Sequence, residues 1–284
     1  MKLMSFVHEG RPSYGAAAAD VVLDVGSILS AKAPTLKDLL AGPGFAAARI
    51  ALDSAPKIRI ADVLFEPVIT DPSKILCIGV NYATHLAESG IPRPENPMIF
   101  VRFANSQVGH GRPMLRPPES DKFDYEGELA VIIGKKARRV RREQALDYVA
   151  GYACYNDGSI RDWQTHTSQF TPGKTFPGTG GFGPWLVTTD EIPDPAPLTL
   201  KTRLNGEVMQ SAPISDLVFD VSALVAYCSV FTCLEPGDVI ITGTTGGVGA
   251  FRNPPVWMKP GDVVEIEISR IGILRNAIED EIAQ

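Results

Sequence analysis

Asp124-Tyr125-Glu126-Gly127-Glu128-Leu129-Ala130-Val131-Ile132-Ile133-Gly134 is the stretch whose reading decides the fold. Its second half, 129–133, is a short apolar run rich in β-branched residues and closed by glycine. Similar runs recur at 75–80, 98–101, 149–155, 185–188, 198–204, 239–242 and 263–268, broken by Gly, Pro or Asn. Short strands between turn signals predict a sheet-rich sandwich or barrel rather than alternating βαβ units. Asn205-Gly206 between two alternating runs predicts a hairpin, because a two-residue turn of the primed type needs positive φ. Pro236-Gly237-Asp238 and Pro260-Gly261-Asp262 are turns that lead into strands. The strongest helix candidate spans 215–233, with Ser222, Leu224, Val225 and Leu234 around an apolar stripe.

The texture changes near Pro67. Upstream, 2–7 and 21–25 read as short strands, and 36–40 and 45–52 as modest helices separated by Gly42-Pro43-Gly44. This Ala-rich stretch holds few groups suited to chemistry. The expected division is a small N-terminal α/β domain, 1–70, and a β-rich domain, 71–284, that carries the function.

Bulk properties exclude several classes. The 284 residues are 44% hydrophobic with a formal net charge of −6, so there is no basic field for nucleic acid. The basic run Lys135-Lys136-Ala137-Arg138-Arg139-Val140-Arg141-Arg142 reads as a solvated turn. Cys77, Cys154, Cys228 and Cys233 form no CxxC pair and have no zinc spacing. With no leader pattern and no uninterrupted apolar span, the expectation is a cytoplasmic protein with reduced thiols and no membrane partner.

Three groups of residues suggest chemistry. Period-two geometry places Glu126 and Glu128 on one face of an entering strand, where two carboxylates repel unless a cation lies between them. Oxygen-only ligands suit Mg²⁺, Mn²⁺ or Ca²⁺, although solvated acids at a strand end would give the same spacing. Asp157 closes the apolar run 149–155 through Asn156 and is either a third ligand or the cap of the following turn. His85 and Glu88, three apart after a strand ending at Gly79, could form an imidazole–carboxylate dyad that activates water, or a plain helix-surface pair. Lys174 in the Gly/Pro-rich loop 171–185, and the loop Gly243-Thr244-Thr245-Gly246-Gly247-Val248-Gly249, are anion cradles or tight turns. Neither is a phosphate P-loop.

In this order, GVNYATHLAE, DYEGELAVIIG, YNDGSIRDWQ, PGKTF…GPWLVT, RLNGEVMQ, LEPGDVIITGTTGGVG and PPVWMKPGD resemble the fumarylacetoacetate hydrolase family, and they cover most of 75–268. The resemblance implies a mixed, rolled β-sheet catalytic domain behind a small N-terminal domain, and a homodimer. It implies one Mg²⁺ or Mn²⁺ per subunit on Glu126, Glu128 and Asp157, with His85 and Glu88 as the water-activating dyad. Lys174 would face the bound acid, Thr244 would reach the substrate, and Arg161 and Gln164 would assist in binding it. Three positions depart from the family pattern: Pro177 where an Asp is common, Thr245 where a Pro is common, and Arg102 where a Lys is common.

The expected function is metal-dependent hydrolysis of a C–C bond in a small acylpyruvate-like 2,4-dioxo acid. The alternative is an isomerase or decarboxylase of a hydroxymuconate- or oxaloacetate-type diacid on the same metal. A non-catalytic binding module is disfavoured, because it has no use for a His–Glu dyad beside the metal.

Overall fold

A computed structural model describes residues 1–282. Ten strands form the path of the large sheet. They are β1 (Lys2–His8), β2 (Arg11–Ala18), β3 (Val21–Leu23), β4 (Lys57–Arg59) and β5 (Ile75–Gly79), then β6 (Met98–Arg102), β7 (Gly127–Ile133), β8 (Val149–Asn156), β9 (Gly180–Thr188) and β10 (Val239–Ile241). Their spatial order is β4-β3-β2-β1-β9-β8-β7-β10-β5-β6, with Leu64–Phe65 and Gln107–Val108 attached beside β1 and β9. The sheet is mixed: β10 runs parallel to β5, while β7 lies antiparallel to both β8 and β10. A second, five-stranded sheet of Met114–Arg116, Thr199–Leu204, Glu207–Pro213, Val263–Ile268 and Gly272–Asp280 packs against it. The expected β-rich mixed architecture is observed.

The unbroken apolar run of β7 has a simple cause. Leu129, Val131 and Ile133 pack into the core shared with Leu200, Ile266 and Leu274 of the five-stranded sheet. Ala130 and Ile132 point the other way, into the core that contains Leu36, Leu39 and Ala48 of the N-terminal helices. A strand covered on both faces has no solvent side on which to alternate polar residues. Gly127, at its start, lets the second sheet approach closely: a Cβ there would come within 2.1 Å of Thr202 Oγ1.

The expected boundary near Pro67 falls between the Leu64–Phe65 strand and β5, and the sheet continues across it. Lys2 and Leu3 of β1 register with Val187 and Leu186 of β9. The helices Leu36–Ala41 and Gly44–Leu52 lie where the periodicity predicts, the first opened by a capping box between Thr35 and Asp38. The expected helix at 215–233 is shorter, Val221–Phe231. Asp220 starts it by accepting from the Ala223 amide at 2.8 Å, and Ile214–Asp216 forms a separate 3₁₀ turn. Leu234 therefore lies outside the helix, bridged to Ala137.

The basic run is less solvated than expected. Its charged groups are exposed, but Ala137 is buried and the Arg138 guanidinium donates to the carbonyls of Ser229 and Val230 at that helix's C-terminus. At the hairpin, Asn205 and Gly206 have φ of 53° and 84°, as a primed turn requires. All four cysteines are free, and Cys77, Cys154 and Cys228 are buried. No helix among the described residues is long and apolar enough to cross a membrane.

Asp238 ties β10 to β5. Its buried carboxylate accepts from the Lys74 amide at 2.9 Å and the Glu235 amide at 2.8 Å, and pairs with the Lys74 ammonium at 2.8 Å. Asp238→Ala strands these donors and is expected to cost roughly 1–3 kcal/mol of stability, read as an earlier urea-unfolding midpoint.

Candidate metal and acid–base site

Strand register brings the three predicted carboxylates together. Gly127 registers with Asn156, the Asp157 amide donates to the Glu126 carbonyl at 2.9 Å, and the Glu126 amide donates to Asn156 Oδ1 at 2.9 Å. Asp157, just past the end of β8, thus lies beside Glu126 and Glu128, which alternation puts on one face. One oxygen from each of Glu126, Glu128 and Asp157 lies within 4.8 Å of the others, and all three residues are buried. Asp124 shares their parity and is fully buried. It accepts from the amides of Tyr125, Gly249 and Ala250.

Two buried cations, Arg102 and Lys174, and the partly buried Arg161 face these four acids. Arg161 contacts Asp124 at 2.8 Å and Glu126 at 2.7 Å. The Lys174 ammonium, 1% exposed, lies 2.6 Å from both Glu126 Oε2 and Asp157 Oδ2. Arg102 lies 2.6 Å from Asp157 Oδ1. One negative charge remains unmatched, and it belongs to Glu128, whose carboxylate is met, among the described residues, by the Gly243 amide alone.

Burial, followed by repulsion from Asp157 and Glu126, pushes the Glu128 carboxyl well above its ordinary pKa. Burial also acts on Glu126, but Lys174, Arg161 and His85 outweigh it and hold that carboxyl well below the usual range. Burial would discharge Lys174, yet Asp157 and Glu126 keep it an ammonium. A buried oxygen-only donor set with one uncompensated acid fits a hard divalent cation.

The predicted dyad forms on the helix Ala83–Ser89. His85 Nδ1 lies 2.7 Å from Glu88 Oε1, and His85 is 7% exposed. The 243–249 loop holds this helix from behind. Thr245 Oγ1 lies 3.0 Å from Thr84 Oγ1, the Gly246 amide donates to Thr84 Oγ1 at 3.1 Å, and the Gly247 amide donates to Glu88 Oε2 at 2.8 Å. Gly247 has a φ of 99°, and a Cβ there would meet the Met209 carbonyl oxygen at 2.3 Å, so glycine is required on both counts. The loop is thus a cradle, as its glycines suggest, but its amides hold the protein's own Glu88, Glu128 and Asp124.

A cavity of about 930 Å³, near the upper end of ordinary ligand pockets, opens over this array. His85, Glu126, Glu128, Arg161, Gln164, Lys174 and Thr244 line it, and its walls include Phe100, Phe170, Phe251 and Trp257. Glu88 and Asp157 stand behind the lining. The Thr244 hydroxyl donates to the Gly127 carbonyl at 3.0 Å and accepts from Gln210 at 2.8 Å, while Gln164 accepts from Arg161 at 2.9 Å. In the 171–185 loop, Thr171–Lys174 is one helical turn and the remainder enters β9. Sequence reasoning missed Asp124, Gln210 and the aromatic walls. Asp124 was within reach, since 124, 126 and 128 follow one alternation.

The fold and site together define a sheet-built enzyme centre in which buried carboxylates stand ready for a cation beside an imidazole–carboxylate pair. The model of the fumarylacetoacetate (FAA) hydrolase C-terminal domain matches residues 74–279, and the chain belongs to this family. The mitochondrial oxaloacetate tautomerase of Xenopus laevis is 46% identical over 235 residues, covering 81% of this chain and 73% of its own. The solved 5-carboxymethyl-2-hydroxymuconate delta-isomerase of Mycobacterium smegmatis superposes with a TM-score of 0.80 at 30% identity, over 99% of this chain and 100% of its own. The maleylpyruvate hydrolase of Sphingobium sp. SYK-6, solved with manganese(II) and pyruvate, gives 0.83 at 30% identity over the same shares.

A cation that binds only the folded chain stabilises it by about 2.7 kcal/mol at a hundredfold excess over Kd. Mn²⁺ is therefore expected to raise the melting temperature of the wild type and to leave Glu128→Ala nearly unmoved, as read by calorimetric melting with and without EDTA.

Proposed function

We propose that this chain is a metal-dependent enzyme that moves a proton within a small 2-oxo diacid of the oxaloacetate kind, interconverting its keto and enol forms. The observation that carries the reading is the pairing of two features on one cavity: an uncompensated buried carboxylate, Glu128, and a histidine with one ring nitrogen committed to Glu88. The relatives with tautomerase and isomerase names support it.

Glu126, Glu128 and Asp157 would hold Mg²⁺ or Mn²⁺, which supplies a Lewis acid for adjacent carboxylate and 2-oxo oxygens. Glu88 accepts the Nδ1 proton of His85 and so leaves Nε2 as the basic nitrogen. His85 then takes the proton from C3 of the keto acid and delivers it to the 2-oxygen to give the enol, or takes the enol's hydroxyl proton and returns it to C3. Lys174, kept as an ammonium, offers a donor to the oxygen on which charge develops. Arg161 and Gln164 form one wall of the same pocket and orient the acid.

The dyad also serves a second reading, C–C hydrolysis of a 2,4-dioxo acid, in which His85 takes its proton from water instead. A base that can deprotonate water can deprotonate a carbon made acidic by a neighbouring carbonyl, so the dyad does not by itself select hydrolysis. The relatives' names shift the order in favour of proton transfer.

Freshly dissolved oxaloacetate with Mn²⁺ or Mg²⁺ provides the test. The wild type is expected to accelerate loss of the enol's ultraviolet absorbance with every carbon retained by NMR, and His85→Ala to be slower by about 10²–10⁴-fold. Acceleration of acylpyruvate cleavage with none of oxaloacetate enolisation would replace this reading with the hydrolytic one.

A further inference from the structure

We infer that Arg102 is a positioning residue that fixes Asp157 as a one-oxygen ligand and so favours small octahedral cations over Ca²⁺. The inference rests on the metal centre proposed above and concerns which ion it accepts.

Arg102 and Asp157 are both fully buried, and the guanidinium is held at every nitrogen. Nη1 donates to Asp157 Oδ1 at 2.6 Å and to the Gly158 carbonyl at 2.9 Å. Nη2 donates to Thr179 Oγ1 at 2.9 Å, and Nε to Ser106 Oγ at 3.2 Å. The two hydroxyls are themselves oriented. Thr179 donates onward to the Phe176 carbonyl at 2.7 Å and Ser106 to the Phe103 carbonyl at 2.8 Å, so each turns a lone pair toward Arg102. Behind the fork there is no slack: a Cβ on Gly180 would sit 2.8 Å from Nη2.

These contacts pin Oδ1 on the side of Asp157 away from the cavity. Oδ2 is the oxygen reached by Lys174, which itself lines the cavity. A cation entering from the cavity therefore meets one oxygen of Asp157, Oδ2, which it shares with the Lys174 ammonium, while Oδ1 is engaged by Arg102. Mg²⁺ accepts that, since its six ligands sit in a tight octahedron, and Mn²⁺ suits the same octahedral oxygen set. Ca²⁺ takes six to eight oxygens and often draws both from one carboxylate, and Arg102 competes with it for the second oxygen of Asp157. A lysine at position 102 would give a point charge rather than a planar fork, and would hold Oδ1 less firmly.

The test is calorimetric titration of the metal-free, full-length protein with MnCl₂ and, separately, CaCl₂. The wild type is expected to bind Mn²⁺ more tightly than Ca²⁺. In Arg102→Met the Mn²⁺ affinity should fall by roughly 10–100-fold, the usual effect of removing a group that orients a ligand, and the Ca²⁺ affinity by less, so that the ratio of the two drops, with Arg102→Lys in between. An unchanged ratio in folded Arg102→Met overturns the inference. Should that variant fail to fold by circular dichroism, Ser106→Ala/Thr179→Val loosens the fork while keeping the charge. Its ratio should fall by a smaller factor, and an unchanged ratio there overturns the inference equally. A wild type that binds neither ion overturns the metal centre and this inference together, whereas Mn²⁺ binding with an unmoved ratio overturns the role of Arg102 alone.

Discussion

Four carboxylates buried beside three cations impose the constraint around which this protein is organised. Isolated ions are costly in a protein interior, and a buried charge whose partner is removed typically destabilises a fold by about 3–5 kcal/mol. Arg102, Arg161 and Lys174 answer Asp157, Asp124 and Glu126, and each does so through contacts of 2.6–2.8 Å. Glu128 is left with a backbone amide. The chain thus keeps one acid short of a cation where the cavity meets the sheet, and folding energy is held against whatever ion fills that place.

The sheets exist in the form that this arrangement needs. β7 and β8 are covered on both faces, so their register is fixed by two cores at once. A slip by one residue would turn Glu126 and Glu128 away from Asp157 and send Leu129, Val131 and Ile133 into the wrong core. The dyad is set less rigidly, on a seven-residue helix, but the 243–249 loop pins both its ends: Thr84 at the first turn and Glu88 near the last.

Local spacing made part of this legible. Alternation marked Glu126 and Glu128, helical proximity marked His85 and Glu88, and the Asn205-Gly206 turn gave its hairpin. What spacing could not reveal was anything that depends on register between distant segments. The convergence of Asp157 on Glu126 follows from pairing across β7 and β8, and the contacts of Lys174 and Arg102 span 48 and 55 residues of chain. Helix limits at 215–233 were overdrawn because apolar periodicity continued past the Asp220 cap and included Leu234, which packs from a bridge. The choice of reaction was not legible either. A histidine held by a glutamate signals a proton in motion, without saying whether it leaves oxygen or carbon.

The pairing of β1 with β9 has a meaning apart from catalysis. Without it, β9 would present open amides and carbonyls around Leu186 and Val187, beyond the stretch that Gln107–Val108 covers, the kind of seam on which a stranger's strand can add itself. The N-terminal segment closes that seam with its own backbone and hands the exposed border on to β4, a strand of only three residues. Its side chains serve packing rather than chemistry, since Leu36, Leu39 and Ala48 share a core with Ala130 and Ile132 of β7. A stretch poor in chemical groups can in this way be indispensable, as the selvedge that keeps a working sheet from fraying into its neighbours.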